Sequence, residues 1–195
     1  MANLGSSYYS EEELTQSGFK FIGKNVQIDK SCNIIGTERI SIEDNVRIDG
    51  FTTITVPPSG YLTIGSYIHI AGYCLLACSY GITMGDFSAI SHGTKLYTAS
   101  DDYSGRGMTN PTIPIEYRSV KTGSINIGKY GLIGAMCVVL PGADIPIGTS
   151  VGAMSKVVSP LEEWSVYNGN PAVKIKDRKR NMIEHEKNIV GGFNV

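Results

Sequence analysis

A chain of 195 residues, 42% hydrophobic and 18% charged, is long enough for one domain with a real core and is neither disordered nor membrane-like in composition. A net charge of −1 gives no broad pull toward nucleic acid or an anionic membrane. No apolar run reaches the ~20 residues of a membrane span, and the start "MANLGSSYYSEEEL" lacks a signal peptide's basic and apolar segments, so a cytoplasmic protein is expected.

Residues 8–17, "YYSEEELTQS", predict a short helix with Ser10 as N-cap and acidic residues in its first turn. Residues 1–21 then read as a cap on the body that follows. From Ile22 an aliphatic residue recurs every six positions: Ile22, Ile28, Ile34; Ile42, Ile48, Ile54; Ile64, Ile70, Leu76; Met84, Ile90, Leu96. After a gap the series resumes at Ile127, Ile133, Val139, Ile145, Val151 and Val157. A period of six fits neither a 3.6-residue helix nor strand alternation. It predicts short flat strands, one inward side chain each, with three strands to a triangular coil and coils stacked in parallel over residues 22–160. The 23 glycines suit tight corners with unusual φ. Cys32, Cys74, Cys78 and Cys137 sit among small or apolar residues and are expected to be buried, reduced thiols.

Between residues 102 and 124, "DYSGRGMTNPTIPIEYRSVKTGS", the period fails. A loop this long inside a compact repeat is read as functional. Beyond the last coil, residues 161–195 form a closing segment, and "DRKRNMIEHEKNIV" from Asp177 reads as a solvated helix. Of the three histidines, His185 lies in that charged tail, whereas His69 and His92 sit at outward places of their hexads.

The repeat, together with "INIGKYGLIGAMCVVLPGADIPIGTSVGAMSKVVSPLEEWSVYNGNPAVKIK", resembles the hexapeptide-repeat acyltransferases, in particular galactoside and maltose acetyltransferases and O-antigen and capsule acetyltransferases. The resemblance implies an all-β fold, a left-handed parallel β-helix, assembled as a homotrimer with sites between subunits. It implies acetyl-CoA as donor, no metal, and a sugar or nucleotide-sugar acceptor from surface polysaccharide synthesis. O-acetylation is the first expectation, and N-acetylation of a nucleotide-linked amino sugar is the alternative. A non-catalytic β-helix scaffold is a further reading, opposed by the loop, the acidic motif and the acetyltransferase-like ending. A gamma-class carbonic anhydrase would need three zinc-binding histidines in the coils, where only His69 and His92 lie.

The same resemblance assigns candidates along the chain. Gly134, Ala135, Gly152 and Ala153 occupy repeated positions and would line a groove for a pantetheine arm, although tightening corners is role enough for them. Lys156, Lys174, Lys176 and Arg178 would meet the phosphates of coenzyme A. Trp164 would cover the adenine or pack the last coil against the tail. In "DDYSG", Asp102, Tyr103 and Ser104 would hold sugar hydroxyls, and Asp102 can equally open the loop as an Asx-turn.

One departure stands out. Galactoside-type relatives carry a histidine base in a T-x-G-H-P-like segment just before the loop, and aligning "KLYTASDDYSG" with it puts Asp101 in that place. Asp101 could act as the base, could orient His69 or His92, or could serve a reaction whose acceptor is an amine and needs less help. An exposed aspartate titrates near 4 and is a poor base at neutral pH. The expectation is therefore that Asp101 orients or binds, with His69 ahead of His92 as base.

Overall fold

The computed structural model describes residues 8–191. The six-residue period resolves into three columns, one on each face of a parallel β-helix. Face one stacks Ile22, Ile42, Ile64, Met84 and Ile127 in register. Face two stacks Ile28, Ile48, Ile70, Ile90, Ile133, Val151 and Tyr167. Face three stacks Ile34, Ile54, Leu76, Leu96, Val139 and Val157. Apart from the first-coil residues Ile22 and Ile34 and the terminal Tyr167, every member is at most 2% exposed. Burying each such side chain is worth about 1.5–3 kcal/mol, so this continuous aliphatic column is the main stabilising element of the fold.

The corners follow from the same spacing. One corner row holds Asn25, Asn45, Tyr67, Phe87 and Tyr130, all with positive φ between 54 and 60°. Aromatic residues were not the expected occupants of left-handed positions. Their compensation is ring contact along the helix axis: Tyr67 stacks on Phe87 at 4.8 Å and Phe87 on Tyr130 at 5.9 Å, and Tyr130 meets Trp164 tilted at 6.0 Å between ring centroids. Gly148 shares this row, and a Cβ there would meet the Trp164 ring at 2.3 Å, so only glycine fits.

Inside the second corner runs a ladder of small donors. Cys32 Sγ, Thr52 Oγ1, Cys74 Sγ, Thr94 Oγ1 and Cys137 Sγ reach the carbonyls of Asp49, Ala71, Ser91, Gly134 and Gly152, each in the next coil, at 2.8–3.3 Å. The thiols are free and act as corner donors. Burial pushes the thiols of Cys32, Cys74 and Cys137 above the ordinary range, and that of Cys78 up to about 12.

Extra residues enter at the third corner, between face three and face one, and the loop after Leu96 is the largest of these excursions. The ends are closed differently. At the start, α1 (Glu11–Gln16) is capped by Ser10 and Glu13 in a capping box and buries Leu14 against the first coil. At the other end face two continues past residue 160, because Ser165–Asn168 pairs in parallel with Ser150–Val151 and then in antiparallel with Val173–Asp177. Asp177 therefore ends a strand, and α2 begins at Met182 (Met182–Gly191), later than the expected helix. Glu186 ties α2 to Lys129 at 2.5 Å and to the Tyr130 hydroxyl. Among the described residues no helix is long and apolar enough to cross a membrane.

Candidate functional site

The loop leaves and returns as a two-stranded antiparallel ribbon, Ala99–Asp101 against Val120–Thr122, with Asp101 opposite Val120. Asp102 opens the turn. Its carboxylate accepts the N–H groups of Ser104 at 3.0 Å and Arg106 at 2.8 Å and the Ser104 hydroxyl at 2.8 Å. The Ser104 N–H, with the other donors, holds the Asp102 carboxyl below its ordinary range. The Asx-turn reading of Asp102 is thus realised, and Ser104 is spent on that turn.

Asp101 is half-buried. Its Oδ2 accepts the Asn110 N–H at 3.1 Å, and its Oδ1 faces Arg118 Nη2 at 3.4 Å. It lines a cavity of about 690 Å³ between the ribbon and face three, with Tyr97, Tyr103, Val138, Leu140 and Lys156. A neighbouring hollow of about 580 Å³ shares Asp101 and Tyr103 and adds Asp102, Ser104, Arg106 and Lys121. Tyr103 is 95% exposed and stands between the two. Asp101, Tyr103 and Lys156, singled out separately in the sequence, therefore meet in one cavity.

The second corner gathers another group. Met136 donates its N–H to the His92 carbonyl and Met154 to the Ala135 carbonyl, both at 2.8 Å, which places His92, Ala135 and Ala153 on successive rungs of one strip. Beside them run Ser91, Gly134 and Gly152. A Cβ on Gly134 would lie 2.5 Å from Ala153 N, so glycine is sterically required there, and one on Gly152 would lie 2.6 Å from Asn168 Oδ1 and displace that side chain. Ala135 and Ala153 leave the outer surface of this strip low, and Ser91 and His92 stand at its head. Sequence reasoning passed over Ser91. Its available signal was its hexad place, the same as that of Gly134 and Gly152.

The remaining candidates lie elsewhere. His69 is on face two, with Nε2 2.7 Å from Asp49 Oδ2 and 3.1 Å from Arg47 Nη2. Burial pushes the Asp49 carboxyl up, but hydrogen bonds from His69 and Arg47 outweigh this and hold it below the usual range. Within one chain Asp101 thus orients neither His69 nor His92; its partners are Asn110 and Arg118. The expected cationic cluster is dispersed. Lys174 pairs with Glu162 at 2.9 Å and Asp177 at 3.0 Å, and Lys176 lies on the terminal hairpin opposite Val166. Arg178 donates to the carbonyls of Tyr130 and Gly148, and burial lowers its pKa. Lys156 alone of the four lines the cavity. Trp164 is 9% exposed, packed against Tyr130 and lying 4.7 Å under the Arg180 guanidinium, so it joins the last coil to the tail. Among the described residues no group of three or more His, Cys, Asp or Glu side chains could hold a metal ion.

No family model matches the chain. The dTDP-4-amino-4,6-dideoxy-D-glucose acyltransferase of Escherichia coli is 36% identical over 180 residues, covering 92% of this chain and 93% of that protein. WcaF of Escherichia coli K12, provisionally named a colanic acid biosynthesis acetyltransferase, is 34% identical over 70% of this chain and 69% of its own. Among solved structures, the N-acyltransferase AntD of Bacillus cereus, in complex with dTDP and 3-hydroxybutyryl-CoA, superposes with a TM-score of 0.93 at 44% identity, covering 98% of this chain and 100% of that one. AntD has also been solved with one serine replaced and with one aspartate replaced, at positions ten residues apart. With its three-column β-helix, its loop ribbon and these relatives, the chain belongs to the hexapeptide-repeat acyltransferases.

Proposed function

We propose that the protein transfers an acyl group from an acyl-coenzyme A to the amino group of a nucleotide-linked amino sugar, a dTDP-4-amino-4,6-dideoxyhexose being the acceptor that its relatives favour. The observation that carries this reading is Asp101. Aligned with galactoside-type relatives it stands where they carry a histidine base, and its own partners are a backbone N–H and Arg118. A hydroxyl attacking a thioester needs a base near pH 7, a task that histidine serves and that no histidine in this cavity can take. An amine is nucleophilic once it has lost a single proton. It needs a carboxylate that attracts and orients its ammonium form; that form releases one proton to solvent, and the carboxylate then holds the neutral amine against the carbonyl carbon. The amine adds to that carbon, the C–S bond breaks, and the departing thiolate takes up the proton lost from nitrogen, giving an amide and free coenzyme A. The amine alternative therefore displaces O-acetylation as the preferred reading.

Ser91 enters through the relative. This chain contains one serine followed ten residues later by an aspartate, Ser91 and Asp101, the spacing of the serine and aspartate replaced in AntD. In this reading the pantetheine arm follows the strip Ala153–Ala135 to Ser91, whose hydroxyl donates to the thioester oxygen as negative charge develops there. Ser91 lies at the second corner and Asp101 beyond the third, so the two meet only when the loop of one copy reaches the second corner of another. That arrangement supports a ring of copies with shared sites, and the homotrimer is its simplest form. The acyl group can exceed acetyl, since AntD was solved with a 3-hydroxybutyryl donor. An N-acylated nucleotide sugar would feed surface glycan assembly, the setting that the name of WcaF suggests.

The test is direct. Purified protein is incubated with acetyl-CoA or 3-hydroxybutyryl-CoA and dTDP-4-amino-4,6-dideoxyglucose, and the products are read by mass spectrometry and thiol release. Equimolar amide and free thiol are expected. No amide with either donor sinks the reading.

A further inference from the structure

We propose that Arg118 is a positioning residue for Asp101, fixing the carboxylate that meets the acceptor; this rests on the acceptor-binding role given to Asp101 above. In the ribbon Asp101 lies opposite Val120. Arg118 precedes Val120 by two residues, so both side chains project from the same side of the ribbon as Asp101, and Arg118 is its diagonal neighbour. Arg118 Nη2 faces Asp101 Oδ1 at 3.4 Å, while the Asn110 N–H takes Oδ2 at 3.1 Å. One oxygen is thus tied to the returning half of the loop and the other to its far bend, which fixes both position and rotation of the carboxylate.

The state of Arg118 argues that charge, and not packing alone, is what this position requires. Its side chain is only 16% exposed, against 34% for Asp101, and its Nε is buried without a hydrogen-bond partner. A buried unpaired donor destabilises the fold, and an apolar side chain of similar length would avoid that cost. Asp101 is the one carboxylate within ion-pair distance of Arg118 among the described residues. The backbone around it is built to hold it still: Met108 and Arg118 form a bridge, and a 3₁₀ turn at Ile115–Tyr117 leads into it. An aspartate that must meet an ammonium group at one orientation gains from a fixed cation on its far side.

The experiment is a double-mutant cycle on the full chain, comparing wild type, Arg118→Met, Asp101→Asn and the double variant by steady-state kinetics, with Arg118→Lys as the conservative partner. Arg118→Met keeps the stem and removes the charge. It is expected to lower kcat/KM for the amino sugar at least about tenfold, leave KM for acyl-CoA unchanged, and cost little further in the Asp101→Asn background. Arg118→Lys is expected to recover part of the loss. Equal losses from Arg118→Met in both backgrounds would overturn the proposal, as would normal turnover by Arg118→Met. If Arg118→Met fails to fold, a folded Arg118→Lys with intact acyl-CoA KM and raised amino-sugar KM supports it, and wild-type kinetics in Arg118→Lys and in a folded Arg118→Gln overturn it. Normal turnover by Asp101→Asn would instead overturn the underlying role of Asp101.

Discussion

Ser91 and Asp101 stand at opposite ends of one strand, Lys95–Tyr97: Ser91 lies before it at the second corner, and Asp101 lies beyond it in the loop ribbon. The Ser91 carbonyl is fixed by the Cys74 thiol at 3.3 Å, and the Asp101 carboxylate by Asn110 and Arg118. With a face of the helix between them, the proposed reaction brings these two groups to one acyl carbon only across two copies of the chain.

Complementation between inactive variants follows. Ser91→Ala and Asp101→Asn should each lose most activity, and a co-refolded equal mixture should recover about a quarter of wild-type turnover, since that share of shared sites would combine both intact residues. Recovery is measured against each variant refolded alone. No recovery from a mixture shown to contain hetero-oligomers would place both residues in one chain's site.

His69 should be dispensable for turnover. Its Nε2 is committed to Asp49 at 2.7 Å. His69→Gln is expected to keep kcat within about threefold and to lower the melting temperature, because a half-buried carboxylate loses a partner. A 100-fold or greater fall in kcat, the range general-base loss usually costs, would restore His69 as the base.

The donor strip can be blocked without disturbing the core. Ala153 is exposed, so Ala153→Trp should leave the melting temperature within a few degrees of wild type. It should raise KM for acyl-CoA about tenfold or more while leaving KM for the amino sugar unchanged. An unchanged acyl-CoA KM would move the donor to another surface.

The attachment of α2 should be acid-sensitive. Hydrogen bonds from Lys129 and then Tyr130 hold the Glu186 carboxyl below its ordinary value of 4.5. A carboxylate with a lowered folded-state pKa contributes stability above its unfolded value and loses it as pH falls through the folded one. Hydrogen-exchange protection of residues 182–191 should therefore hold at neutral pH and fall as the pH drops below 4.5. Glu186→Gln should show reduced protection already at neutral pH. Protection equal to wild type in that variant would mean that other contacts hold the helix.

The architecture was legible in the sequence to a large degree. Sixteen of the period-six positions, from Ile28 to Val157, are core residues because one inward side chain per short strand is the only way such a period buries apolar surface. The helix cap at Ser10 was likewise readable, since its capping-box partner Glu13 is local. The site was readable only in part. The loop showed as a break in the period from residue 102, Asp101 came from the alignment with galactoside-type relatives, and Lys156, named for the phosphates of coenzyme A, lies in the cavity beside Asp101. Arg118 and Asn110 lie in a stretch without periodicity, where partners depend on the register of the returning ribbon. The dispersal of Lys174, Lys176 and Arg178 follows from a hairpin that the six-residue pattern does not encode, and the Asp49–His69 pair needs the stacking of neighbouring coils to be seen.

The central claim, acyl transfer to nitrogen without a histidine base, is tested most directly by competing two acceptors that differ in one group: dTDP-4-amino-4,6-dideoxyglucose and its 4-hydroxy counterpart. With acyl-CoA in excess, the ratio of their kcat/KM values is read from the two products. A preference for the amine of at least about 1,000-fold is expected, because a neutral amine attacks a thioester without the base that a hydroxyl needs. Equal or faster acylation of the hydroxyl would contradict the account and return the search to a base.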